Sequence, residues 1–170
     1  KGYHPMPKVS FFSALAVGME SRKEAMDIEL VTKTAPSEVK DRMSRELPEG
    51  IEVIRVDPIP LGEKRPRIKE TGYRIIRENG PFDAVKLEAF NRSERFVIVK
   101  ITKKGEHEID GRPLVKSMSI EGSILYMRLK HDPAGQGPGL KPKEIVKGVF
   151  DLGDDELLGV HVLKTDQVLA

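Results

Sequence analysis

Between residues 95 and 150 the sequence changes its periodicity twice, and that change restricts the fold more than any other feature of the chain. Residues 96–103 are dominated by Val, Ile and Phe and read as a strand, Gly105 marks a turn, and 108–115 form a short return segment. Residues 123–130 (SILYMRLK) read as a second, stronger strand. A Gly/Pro-rich loop at 131–139 then leads into a helix near Lys141, with Pro142 in its first turn and Ile145, Val149 and Leu152 on one face. A β-β-α run of this kind closes into a two-layer domain with one helical unit before it and one strand after it. Residues 73–77 (strand), 80–91 (helix) and 160–164 (strand) supply them, with a polar surface turn at Asp154-Asp155-Glu156.

The N-terminal third repeats part of this order. Residues 9–17 and 25–32 read as strands, the second with Met26, Ile28 and Leu30 alternating against Asp27 and Glu29. Residues 18–23 read as the polar turn between them. Thr34 is the expected N-cap of a helix carrying Pro36 and Glu38 in its first turn and the stripe Val39, Met43, Leu47. Pro48-Glu49-Gly50 ends it, and 51–56 is the next expected strand. The fold class expected is therefore α+β, with two ferredoxin-like (βαββαβ) modules in tandem, the first lacking its N-terminal β-α. The first module is expected at 1–62, a linker at 63–72, and the complete module at 73–170. The missing β-α would lie upstream of Lys1. An incomplete first sheet exposes unpaired edges and raises the expectation of a homodimer.

Composition narrows the chemistry. The chain of 170 residues holds no cysteine, so it carries no disulfide, no thiolate nucleophile and no Cys-ligated cluster of its own. Charged residues make up 33% and hydrophobic residues 38%, the balance of a folded chain and not a disordered one. Lys and Arg exceed Asp and Glu by only +2, too little to argue for nucleic acid from charge alone. With three Tyr and no Trp, stacking platforms for bases would rest on very few rings. The absence of a signal peptide or long apolar run leads to the expectation of a cytoplasmic protein with no membrane partner.

Candidate binding residues fall in three places. Lys64, Arg65, Arg67 and Lys69 form a basic stretch able to meet RNA phosphates. Lys141 and Lys143 follow the Gly-rich loop at a helix start, where backbone N–H groups favour anions. The phosphate-loop pattern GxxxxGK[ST] is absent, and Pro138 and Pro142 each remove a donor. Tyr3, His4 and Lys8 lie in a proline-rich opening loop suited to recognition. The four histidines are too dispersed for a local metal motif; His107, Asp110 and His131 are the only set the expected hairpin brings near one another. No catalytic residue and no metal ligand is assigned.

The opening GYHPMPKVSF, followed by LAVGMES at 15–21, resembles a bacterial family of radical-SAM-linked proteins of unknown function. Leu47-Pro48-Glu49-Gly50-Ile51, Arg112-Pro113-Leu114-Val115 and Gly139-Leu140-Lys141-Pro142-Lys143-Glu144 fit the same family in the same order. The resemblance implies association with a radical S-adenosylmethionine enzyme, fused or encoded nearby. S-adenosylmethionine and a [4Fe-4S] cluster would then belong to that partner, and this chain would bind neither. The function expected is that of a non-catalytic accessory domain that docks to the radical enzyme or presents its substrate. The alternative is an RNA-binding module acting in RNA modification or processing.

Overall fold

The computed structural model describes residues 8–60, 62, 63, 66–102, 105–131 and 140–169, with backbone alone at 101 and 102. In chain order its elements are β1 (Val9–Phe11), β2 (Met19–Ser21), β3 (Met26–Ile28), α1 (Pro36–Glu46), β4 (Ile68–Arg77), α2 (Ala84–Arg92), β5 (Val97–Thr102) and β6 (Gly105–Asp110). A 3₁₀ turn (Arg112–Leu114) follows, then β7 (Val115–Glu121), β8 (Ile124–Lys130), α3 (Pro142–Phe150), α4 (Asp154–Leu158) and β9 (Val160–Leu169). The architecture is mixed α+β. Two compact units divide it: described residues 8–11 and 26–63 form one, and 12–25 with 66–169 form the other.

The second unit is built on a five-stranded sheet in the order β2-β9-β4-β8-β7. β4 is central and antiparallel to both β8 and β9, β7 is antiparallel to β8, and β2 runs parallel to β9 at the edge. One face of this sheet is covered. Ile75, Leu125, Met127, Val160 and Val162 project from it to meet Leu87 and Phe90 of α2 and Ile145, Val146 and Val149 of α3, all buried. The helical stripe Ile145, Val149, Leu152 expected from the sequence is buried as a whole. Asp83 fixes the start of α2 by accepting from the backbone N–H of Val85 at 2.8 Å and of Lys86 at 3.3 Å. The helix therefore begins four residues later than the Gly80-Pro81 start expected.

Among the described residues β5 and β6 pair with each other as a separate hairpin. Phe96 at its base packs edge-on to Phe90, with ring centroids 5.1 Å apart. Its ring also lies against Gly148 of α3, where an added Cβ would sit 2.7 Å from the Phe96 Cζ; the close approach requires glycine there.

Four strand expectations change. The return segment expected at 108–115 splits, because β6 ends at Asp110 and the second long strand of the sheet is β7. A β-bulge between Val115 and Ser117 puts the buried side chains Val115 and Met118 three residues apart, which removes the period of two. β4 begins at Ile68, inside the stretch expected as linker, and β9 continues past Lys164 to Leu169. The segment 18–23, expected as a turn, contains β2.

The first unit holds β1 and β3, paired antiparallel with Val9 opposite Ile28, and α1. The strands expected at 9–17 and 25–32 shrink to three residues each, and 51–56 forms no strand. Val39, Met43 and Leu47 are half-buried as a stripe, and Lys40 reaches across to the Ile54 carbonyl at 3.0 Å. α1 starts at Pro36 with Ala35 as its N-cap; the Thr34 hydroxyl donates instead to the Thr32 carbonyl at 3.2 Å. No described residue of this unit is buried.

Candidate functional site

The sheet of the second unit has a second face, carried by the residues that alternate with the core positions. Along β4 and β8 these are Arg74, Ile76, Ile124, Tyr126 and Arg128; along β9 they are His161, Leu163 and Asp166. None of them is buried, and Tyr126, at the centre of the face, is 38% exposed. Arg74 lies directly across from Tyr126 on one side and from Leu163 on the other.

The charges on this face are unequally satisfied. Arg128 donates to Asp166 Oδ1 at 2.8 Å, and Lys116 to Glu70 Oε1 at 2.5 Å. Gly72 leaves room for the Asp166 carboxylate, whose Oδ2 would lie 2.1 Å from a Cβ at that position. His161 meets Glu78 at 2.6 Å. Arg74 has no such partner: its Nε is buried without a hydrogen bond, and its guanidinium makes no ion pair among the described residues. A half-buried cation without a counter-charge raises the cost of its own desolvation, and an anion laid on the face would relieve it.

A second polar group sits on the helix-covered side, and sequence reasoning missed it. Lys164 follows Val160 and Val162 on the inward register of β9 and is 3% exposed. Its ammonium donates to Glu24 Oε1 at 2.5 Å and to Ser13 Oγ at 3.0 Å, both from the 12–25 excursion. Next to it, burial pushes the Tyr73 hydroxyl above its ordinary pKa; Thr71 hydrogen-bonds to it, which opposes the rise, and the Glu24 charge adds to it. Thr71 Oγ1 is 2.7 Å from His131 Nε2. Burial, and then the Lys164 charge, holds that imidazole below its ordinary value. With β2 on the sheet edge, this cluster ties residues 12–25 to the second unit. The only sequence signal was a lysine at an inward position of an apolar alternation.

The residues expected to bind are scattered. Lys64, Arg65, Tyr3 and His4, and the Gly-rich loop 132–139, lie outside the described residues. Arg67 is exposed just before β4, and Lys69 is exposed within it. Lys8 is paired with Glu29 at 2.7 Å. Lys143 Nζ donates to the Leu157 carbonyl at 3.2 Å, and the Lys141 backbone N–H donates to Glu144 Oε2 at 2.7 Å. A side-chain carboxylate thus already occupies part of the α3 N-terminus.

His131 joins Thr71 and not His107 or Asp110, and no group of three or more metal-binding side chains is assembled among the described residues. The carboxylate of Asp110 instead accepts the backbone N–H groups of Phe96 at 3.0 Å and Arg112 at 3.1 Å, which hold its pKa below the usual value. The Arg112 guanidinium goes to the carbonyls of Ser93, Val115 and Asn91 and lies over the Phe90 ring. It forms one wall of a shallow hollow of about 430 Å³. Three of its N–H donors are already used by main-chain oxygens.

Fold and surface together define an α+β protein with one helix-covered and one open sheet face. Residues 1–142 match the model of a family described as an uncharacterized protein conserved in bacteria (DUF2344), and the chain belongs to that family. No curated protein and no solved structure matches the chain. Among the described residues no helix is long and apolar enough to cross a membrane.

Proposed function

We propose that this chain is a non-catalytic accessory domain that presents substrate to a radical S-adenosylmethionine enzyme. The observation that carries the reading is the open sheet face of the second unit, a flat recognition surface with an exposed ring and an unsatisfied guanidinium at its centre. Flat surfaces of this kind recognise extended partners, whereas small-molecule chemistry is commonly housed in concave, apolar pockets. The partner class comes from the sequence resemblance. An iron–sulfur cluster is held by thiolates, and with no cysteine in this chain the cluster and S-adenosylmethionine belong in the reading to the partner.

The second unit is, in this reading, a ferredoxin-like module with an inserted hairpin. Its strands β4, β7, β8 and β9, taken in chain order as first to fourth, lie side by side as 4-1-3-2. We further propose that a second copy of the chain completes the short β1-β3 sheet of the first unit.

The reading is tested by immobilising the full chain and offering the purified radical enzyme at low and moderate salt. Capture is expected at low salt, and the share carried by Ile76, Ile124 and Leu163 should persist as salt rises. Failure to retain the enzyme at either salt concentration sinks the proposal. An RNA-binding module is the second reading, favoured by the pairing of a ring with an unpartnered cation on one face.

A further inference from the structure

Arg74 and Tyr126 are cross-strand neighbours on the two central strands of the open face. We infer that they form a subsite for one nucleotide of a single-stranded polynucleotide, with a base stacked on Tyr126 and a phosphate held by Arg74. The inference rests on the substrate-presenting reading and names the class of substrate presented.

Four observations carry it. The Tyr126 ring is exposed at the centre of a sheet, where it offers a flat π surface that any base can stack on. Beside it, Arg74 has no counter-charge among the described residues, while the neighbouring cations Arg128 and Lys116 are already neutralised by Asp166 and Glu70. A positive charge without a counter-charge therefore stands next to the ring. Ile76, Ile124 and Leu163 surround the pair with partly exposed apolar surface, which would cover the edges of a stacked base. Ser119, exposed and directly across from Tyr126 on β7, places a hydroxyl within the same row.

The geometry also fits the direction of a strand. Lys130 is exposed on the same register of β8, four residues beyond Tyr126, or about 13 Å along a β-strand. It has no ion-pair partner among the described residues. That is about two nucleotide steps of extended backbone, so a chain crossing the face would meet a phosphate contact at each end. An acidic peptide would satisfy the cations but leave the ring without a planar partner. The basic linker, the other candidate for phosphate contact, offers cations without a ring.

The experiment measures binding of fluorescein-labelled oligo(U) and oligo(dT) to the full chain by anisotropy at two salt concentrations. Tyr126→Ala should weaken binding about ten- to a hundred-fold, the scale of one lost base–aromatic stack. Tyr126→Phe keeps the ring and should bind as the parent does. Arg74→Ala should lower the salt slope by about one. Preference for oligo(U) over oligo(dT) would assign the Ser119 row to a 2′-hydroxyl; equal binding would assign the subsite to single strands of either kind.

Circular dichroism of each variant separates loss of binding from loss of fold. No binding at low salt overturns the inference, and so does binding unchanged in both Tyr126→Ala and Arg74→Ala. It is also overturned if binding is abolished only by replacing Lys64, Arg65, Arg67 and Lys69 together. Capture of the radical enzyme, scored in parallel, separates the two proposals: capture kept while oligonucleotide binding fails removes the subsite alone.

Discussion

The two units use similar local patterns and reach opposite states of burial. Helix α1 carries the stripe Val39, Met43, Leu47 at the same spacing as Ile145 and Val149 in α3. Yet no described residue of the first unit is buried, whereas Ile145 and Val146 are completely so. The difference lies in the layer opposite. α3 meets the inward faces of β4, β8 and β9, strands of seven to ten residues. The first unit offers only β1 and β3, three residues each. An amphipathic helix has the stability of what its apolar face is packed on, and a two-strand ribbon of that length supplies little. Phe11, Ile54 and Ile59 remain 61%, 71% and 56% exposed in consequence.

This contrast can be broken most directly by hydrogen exchange. Amides in β4 and β8 are expected to open only with global unfolding, and those of α1 through local openings that cost a small fraction of it, so protection should differ by orders of magnitude. Equal protection in both units of a monomer would refute the contrast. Next in size are core truncations. Leu125→Ala or Ile75→Ala should cost about 2–5 kcal/mol in urea unfolding. Met43→Ala should cost about 1 kcal/mol or less, since a half-exposed methionine leaves no closed cavity. Comparable costs at the two sites would show that the first unit has a core of its own.

The attachment of residues 12–25 depends on Lys164. Lys164→Met strands Glu24 without its partner and should cost about 2–4 kcal/mol, below the usual range for a fully buried pair because Glu24 keeps some access to water. Adding Glu24→Gln should recover part of the loss, and the 12–25 segment should become sensitive to limited proteolysis in the single variant. Unchanged proteolysis would mean that β2 alone holds the segment.

The smallest effect is a pH slope confined to the second unit. Asp110 is held ionised below its usual pKa by two backbone N–H groups. Its contribution is complete above the carboxylate range of the unfolded chain and is lost as pH falls through the folded value. Burial and the Lys164 charge hold His131 below its ordinary value, so the unfolded chain takes up its proton first as pH falls below about 6.5. Both effects remove stability on acidification, and His131 does so first. His131→Asn should flatten the upper part of the decline in Tm; an unaltered profile would show that the imidazole titrates freely in the fold.

Much of the second unit was legible in the sequence because its buried strands and helices keep strict periods. The α3 stripe is an example, and the Gly/Pro punctuation before it marks where the apolar run at 124–129 ends. Where the period fails, the reading failed with it. The bulge at Val115–Ser117 hid β7, and the polar run Lys69-Glu70-Thr71-Gly72 hid the first half of β4. A charged residue at an inward position cut β9 short at Lys164. In the first unit the alternation at 25–32 was real but found a partner for only three residues.

The candidate site divides in the same way. The sequence by itself determined that this chain supplies no thiolate, that the elements are mixed α and β, and that the strand at 123–130 carries one ring, Tyr126. Those follow from composition and from the side-chain period of two, which need no knowledge of neighbours. Only the tertiary structure decided that Arg74 stands across from that ring without a counter-charge, and that Lys164 is buried against Glu24 and Ser13 some 140 and 151 residues away. Strand order and register set those pairings. Both depend on which long-range contacts bury the most apolar surface, a quantity that no local window of sequence contains.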